Sequence, residues 1–188
     1  EDIMQQPPRD PKKPMIGPWQ IIRYCFIGFY VGFATVAGSI WWYLYDHTGP
    51  LLTFRHLIYH QHCSPTESLY QGIDCEIFNH FTPMTISLSI LVLTEMFNAC
   101  NSMSDHASII TCPPWRNMYL VLAVLSSLLI HYATMYFSIT QRLFNVNMLS
   151  CHQWTTVLLL SFPVVILDEI LKFVYRKTHL RKIKSKLA

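Results

Sequence analysis

Apolar residues gather into four runs, 19–45, 83–102, 115–137 and 149–175, separated by polar, Pro-rich connections. Each run is long enough as a helix to cross a hydrocarbon core about 30 Å thick, which takes about 20 apolar residues. The pattern predicts an all-α, polytopic membrane protein with four transmembrane helices. Pro18 suits a first helical turn. Pro163 removes a backbone donor inside the fourth run and predicts a kink there. In the first run Gly28 and Gly32 stand four apart and Gly38 follows, the small-residue spacing that lets two membrane helices approach closely, so these glycines read as a packing face. Trp41, Trp42, Tyr43 and Tyr45 form an aromatic belt where that run ends. Residues 1–18 hold five prolines and several charges and read as an extended loop. The connection 46–82 is the one sizeable loop after the first span, 138–148 is a short loop, and 176–188 is a basic tail.

The composition, 52% hydrophobic, agrees with this class. The net charge of +3 says less than the placement of the basic residues. Arg9, Lys12, Lys13 and Arg23 lie at the start of the first run and Arg116 after the second, while Arg176, Lys177, Arg181, Lys182, Lys184 and Lys186 crowd the tail. The opposite side holds Arg55 and Arg142. By the positive-inside rule both termini are cytosolic, and 46–82 and 138–148 face the lumen or exterior. The basic residues follow topology and form no groove with interleaved aromatics, so nucleic acid is not an expected partner. The tail is expected against anionic lipid, and Arg23 is expected to snorkel toward the interface. Of six cysteines, Cys63 and Cys75 share the non-cytosolic loop, whereas Cys25, Cys100, Cys112 and Cys151 lie in the runs or near their ends. An oxidising compartment favours a Cys63–Cys75 disulfide. The rival is a zinc site using His56, His60, His62 and Cys63, whose spacing matches no compact ligand pattern. His131 reads as an interfacial or hydrogen-bonded histidine.

The second run carries one unpaired carboxylic acid, Glu95, near its middle. At a bilayer centre a carboxylate costs about 2.5 to 3.5 kcal/mol, so such acids bind an ion, relay a proton or meet a partner. Asn98 lies one helical turn on and Ser102 nearly two, with Leu88 and Leu91 before Glu95 on the same side, giving an oxygen-bearing stripe. Oxygen ligands suit calcium, which takes about six to eight of them, and one helix cannot supply that many. Asp168, Glu169 and Lys172 place acids three and four residues before a base, the favoured order for helix pairs. Near the membrane exit they read as a solvated or partner-facing structural pair.

Several long motifs in order resemble the C-terminal membrane region of a sarco/endoplasmic-reticulum calcium pump, a P-type ATPase. DIMQQPPRDPKKP resembles the cytosolic loop after the sixth span, YVGFATVAGSIWW the seventh span, and GIDCEIF the lumenal loop. PMTISLSILVLTEMFNACNSMS resembles the eighth, PPW the start of the ninth and LDEILKFV the tenth. The resemblance implies that Glu95 is the acid the eighth span gives to a calcium site, with Asn98 beside it as a second candidate ligand. It also implies that Cys63 and Cys75 are the lumenal disulfide pair. The implied setting is the reticulum membrane, with calcium the transported ion. Implied partners are the remaining helices and cytosolic domains of the pump, the lipid bilayer and small single-span regulatory peptides. ATP and Mg²⁺ serve the complete pump and have no site here, because the DKTGT and TGE motifs, the nucleotide-binding domain and spans four to six are absent. No catalytic residue is therefore expected, and the chain alone is not expected to hydrolyse ATP. Lys13, where the family usually has an acid, and the basic tail depart from the family pattern. Two other readings share the sequence: a non-enzymatic membrane scaffold or regulator of a full pump, with Glu95 a relic, and an independent channel whose Glu95 residues ring a pore.

Overall fold

The computed structural model describes residues 16–64, 68–70, 72–103, 108–109 and 113–187, with side chains to Thr178 in the last helix. The Pro-rich stretch before Ile16, with Arg9, Lys12 and Lys13, and Cys112 lie outside the described residues. Among those described there are helices, turns and no strand. The α-helices are α1 (Pro18–Leu44), α2 (Phe54–Ile58), α3 (Phe81–Asn101), α4 (Met118–Tyr136), α5 (Ser138–Phe144), α6 (Cys151–Ser161) and α7 (Pro163–Leu187).

Local chemistry starts each long helix where donors would otherwise be unmet. Pro18 occupies the first turn of α1, and Gly17 N donates to Gln20 Oε1 at 2.8 Å. His80 Nδ1 accepts from Thr82 N at the start of α3, and Asn117 Oδ1 from Leu120 N at the start of α4. Ser150 and Gln153 cap α6 reciprocally.

Among the described residues three helical stretches are long and apolar enough to cross a membrane: Pro18–Leu44, Cys75–Asn101 and Met118–Tyr136. The fourth apolar run is divided. It begins as α6, breaks at Phe162, and resumes at Pro163 as α7, so α6 holds only 11 residues. Phe162 keeps helical dihedrals and bonds back to Leu158 O, while Pro163 has no N–H to offer. The interruption thus falls where the proline placed it. Beyond it the helix runs through to Leu187, so 176–187 continues α7. The expected loop 138–148 contains a short helix, α5, closed by Asn145 in the left-handed region (φ 52°). Within 46–82 the chain turns back sharply after α1. A Cβ on Gly49 would collide with the Trp42 carbonyl, and Leu52 N bonds Tyr43 O at 2.7 Å.

Helix α3 is the hub, touching α1, α4, α6 and α7. Its buried Ile86, Ile90 and Leu93 meet Ala34 and Trp42 of α1 and Val157 of α6, while Ile27 and Val31 of α1 meet Val164 of α7. Close approach is built on Gly38, where a Cβ would collide with Ile90. Beside it the Ser39 and Ser87 hydroxyls bond each other, and Ser87 Oγ reaches Thr35 O at 2.7 Å. Small residues and hydroxyls at one contact are what join helices when lipid is as apolar as the side chains. Gly28 and Gly32 behave differently from the expected packing face: a Cβ on either would meet nothing within 4 Å. They lie two turns and one turn back from Thr35, on a side of α1 that no neighbouring helix among the described residues fills.

Candidate functional site

Glu95 projects from an open side of α3. Leu91, Leu88 and Met84, one, two and three turns before it, are 40%, 36% and 62% exposed, and Glu95 itself is exposed. On another side the helix packs into the bundle, with Ile86, Ile90 and Thr94 completely buried. Among the described residues Glu95 makes no hydrogen bond or ion pair. Asn98, one turn on, is half-buried. Ser102 does not join them as a free donor set: it ends the helix, and its hydroxyl donates to Asn98 O at 2.8 Å. This chain therefore presents one carboxylate and one amide on that face, well short of a calcium shell.

The other charged residues of the bundle are arranged in the opposite manner. Arg23 of α1 is 3% exposed and its Nε lies 2.6 Å from Asp168 Oδ1, across 145 residues of sequence. Asp168 is completely buried, and its second oxygen is 3.0 Å from Lys172 Nζ. Lys172, 1% exposed, also donates to the Asn101 carbonyl at the end of α3 at 2.7 Å. Glu169 Oε1 accepts from Ile109 N at 2.7 Å, holding the connection between α3 and α4. The DEILK segment is thus an internal clasp: Asp168 holds α1, Lys172 holds α3, and Glu169 holds the loop. This corrects two expectations. Arg23 does not snorkel, and Asp168 and Lys172 are not solvated, because burial is affordable only when the charges find each other. Their partners are far off in sequence, and the only sequence signal was a base and an acid inside apolar runs.

The far end of the bundle has its own polar anchor. Asp46, 1% exposed, accepts from Gln153 Nε2 at 2.7 Å and Thr48 Oγ1 at 2.8 Å. Burial raises its pKa, but the hydrogen bonds from Gln153 and Thr48 outweigh burial, and the net direction is downward. His131 is buried with Nε2 3.1 Å from Ser89 Oγ. Cys63 and Cys75 are bonded in the structure, with Cα atoms 5.9 Å apart. His56 is engaged with Thr53 N and Leu69 O, and His60 with Leu57 O. No group of three His, Cys, Asp or Glu side chains converges to hold a metal among the described residues.

Membrane-length helices packed on α3, an internal ionic clasp and a lone outward carboxylate define a multi-span membrane protein. The chain belongs to the cation-transporting ATPase C-terminal family: the family model described as "Cation transporting ATPase, C-terminus" matches residues 1–174. It is the C-terminal membrane region of a cation-transporting P-type ATPase, and the match takes in α1 to α6 and α7 as far as Val174.

Proposed function

We propose that this region serves an ATP-driven calcium pump of the sarco/endoplasmic reticulum, bracing its transport helices and giving Glu95 to a calcium site. In this reading both termini face the cytosol, α6 and α7 together make the fourth span, and the Cys63–Cys75 loop is lumenal. Calcium is the transported substrate, moved from the cytosol into the reticulum. The other ligands come from helices of the pump outside this chain, and ATP and Mg²⁺ act on its cytosolic domains. The observation that carries the proposal is the contrast on α3 itself: the helix buries Ile86, Ile90 and Thr94 against its neighbours, yet its one carboxylate stands unpaired on an open side among the described residues. A carboxylate left toward lipid would be costly, so that side calls for a partner that brings cations or donors. The open Gly28–Gly32 side of α1 supports the same reading, since it admits a further helix closely.

The test is equilibrium calcium binding by the assembled pump. Glu95→Ala is expected to weaken binding by about a hundredfold or more, the effect of losing a charged ligand that leaves others unpaired. Glu95→Gln keeps an oxygen and is expected to lose less. Unchanged affinity in Glu95→Ala would overturn the ligand role. Tight calcium binding by the isolated chain would overturn the claim that the site is completed from outside it.

A further inference from the structure

Two cavities meet along one side of α4. The larger, about 650 Å³, lies between α3, α4 and α6, with walls that include Met96, Cys100, Leu125, Leu128 and Leu158. The smaller, about 160 Å³, carries on toward α5 past Tyr136, Met148 and Cys151. Tyr132 and Trp154 line both, so the two form one crevice. From Val124 to Tyr136 the wall of α4 rises about 18 Å at 1.5 Å per residue. That is more than half of a hydrocarbon core about 30 Å thick.

We propose that this crevice binds one acyl chain of a bilayer phospholipid. The walls of its larger part give water little to bond: a retained water needs about two to four polar partners, and His131 at that wall is already engaged by Ser89. Its mouth opens sideways between α4 and α6, where Leu125, Leu129, Tyr132 and Leu158 are 57%, 69%, 53% and 49% exposed. Leu125, Leu129 and Tyr132 belong to α4, which is long and apolar enough to cross a membrane, so in a bilayer the medium at the mouth is hydrocarbon. The crevice also lies on a different side of α3 from Glu95. Successive helical residues are about 100° apart, so Met96 already turns away from the Glu95 side, and Leu93 and Cys100 complete the crevice wall. Helices that close the calcium site approach from the other direction, an argument that rests on the reading of Glu95 given above. Finally, α4 is thinly attached. Only 11% of its most apolar stretch is buried, and it joins the bundle through α3 with no extensive contact to α6. An acyl chain in the crevice supplies the missing contact between α4 and α6.

The experiment uses the membrane-embedded protein with all polypeptides that accompany it, reconstituted in phosphatidylcholine vesicles. These contain a phosphatidylcholine carrying a mid-chain photoactivatable diazirine, and adducts are mapped by mass spectrometry. Labelling at Met96, Leu128 and Trp154 is expected to exceed that at Phe29 and Phe33 by about tenfold, the sign of a held chain rather than passing lipid. The two phenylalanines are 77% and 63% exposed, lie about 100° round α1 from the Gly28–Gly32 side, and serve as the bulk-lipid reference. Leu128→Trp, which fills the crevice, should bring wall labelling down to the level of Phe29 while Phe29 is unchanged. Leu125→Phe adds less volume and should act in the same direction if the larger side chain is not tolerated. Wall labelling equal to Phe29 in the unaltered protein would overturn the proposal, as would walls free of lipid adducts because a polypeptide covers them. Strong labelling at Met84, Leu88 and Leu91 would instead overturn the reading of Glu95, and it leaves the crevice result standing.

Discussion

Asp168 on α7 and Glu95 on α3 are both acids set among apolar residues, in opposite surroundings. Asp168 is fully buried between Arg23 and Lys172, and with the Lys172 bond to the Asn101 carbonyl these contacts tie α1, α7 and α3 together. Glu95 is exposed and unpaired among the described residues. The first charge is satisfied inside the chain and so works as structure. The second finds no partner among the described residues, and in the reading proposed above it is the one offered to the pump's calcium site. The same division separates Gly38, filled by Ile90, from Gly28 and Gly32, which face open space.

If this distinction is right, the largest loss of stability comes from the clasp. Asp168→Ala removes the counter-charge from two buried cations and should cost about 3 to 5 kcal/mol in a denaturant titration of the folded protein. In the same assay Glu95→Ala should change stability by no more than about 0.5 kcal/mol, as for an exposed site. Equal losses from the two would erase the distinction. Next in size is the disulfide. Replacing Cys63 and Cys75 by Ser should cost about 3 kcal/mol by freeing a loop closed over 12 residues. The loss should show as faster proteolysis within 64–74, with the helices still protected.

The glycines sharpen the comparison at a smaller scale. Gly38→Leu overpacks the α1–α3 contact and should cost about 1 to 3 kcal/mol. Gly32→Leu in the isolated chain should be nearly silent, and become harmful only when the further helices of the pump are present. Comparing melting of the two variants, alone and assembled, checks both halves.

The smallest effect is a pH dependence at the other end of the bundle. Because the carboxyl of Asp46 titrates lower in the folded state than in the unfolded chain, its contribution is fully present above the ordinary carboxylate range near about 4. It is lost as pH falls through the folded value. Acidification should therefore destabilise the natural protein by about 1 kcal/mol more than the Asp46→Asn variant, the scale of one such hydrogen-bonded group. Denaturation midpoints for the two at neutral and acid pH should converge, and parallel curves would remove Asp46 from the account.

Much of the helix layout was legible beforehand because its causes are local. The run of apolar residues before Leu44, the proline at position 18 and the proline at position 163 act on their own neighbours, and α1, α3, α4 and the break at Phe162 follow. The short helix α5 was not foreseen: SITQRLF is polar enough to read as a loop, and its end depends on Asn145 taking a left-handed conformation. The extension of α7 through 176–187 was hidden by its charge, since a basic tail and a solvated helix have the same composition.

The sequence by itself determined that the chain has membrane-length helices, and that one of them carries a single acid at helical spacing from Asn98. Both depend on residue type and a period of 3.6, and no partner is needed to read them. Only the tertiary structure decided what each charge and each glycine faces. Arg23 and Asp168 are 145 residues apart and meet because α1 and α7 pack side by side. Gly38 is filled by Ile90 of α3 while Gly32, six residues back and about 120° round the helix, faces open space. A helix presents every side in turn, and which side is covered is settled by neighbours that arrive from elsewhere in the chain.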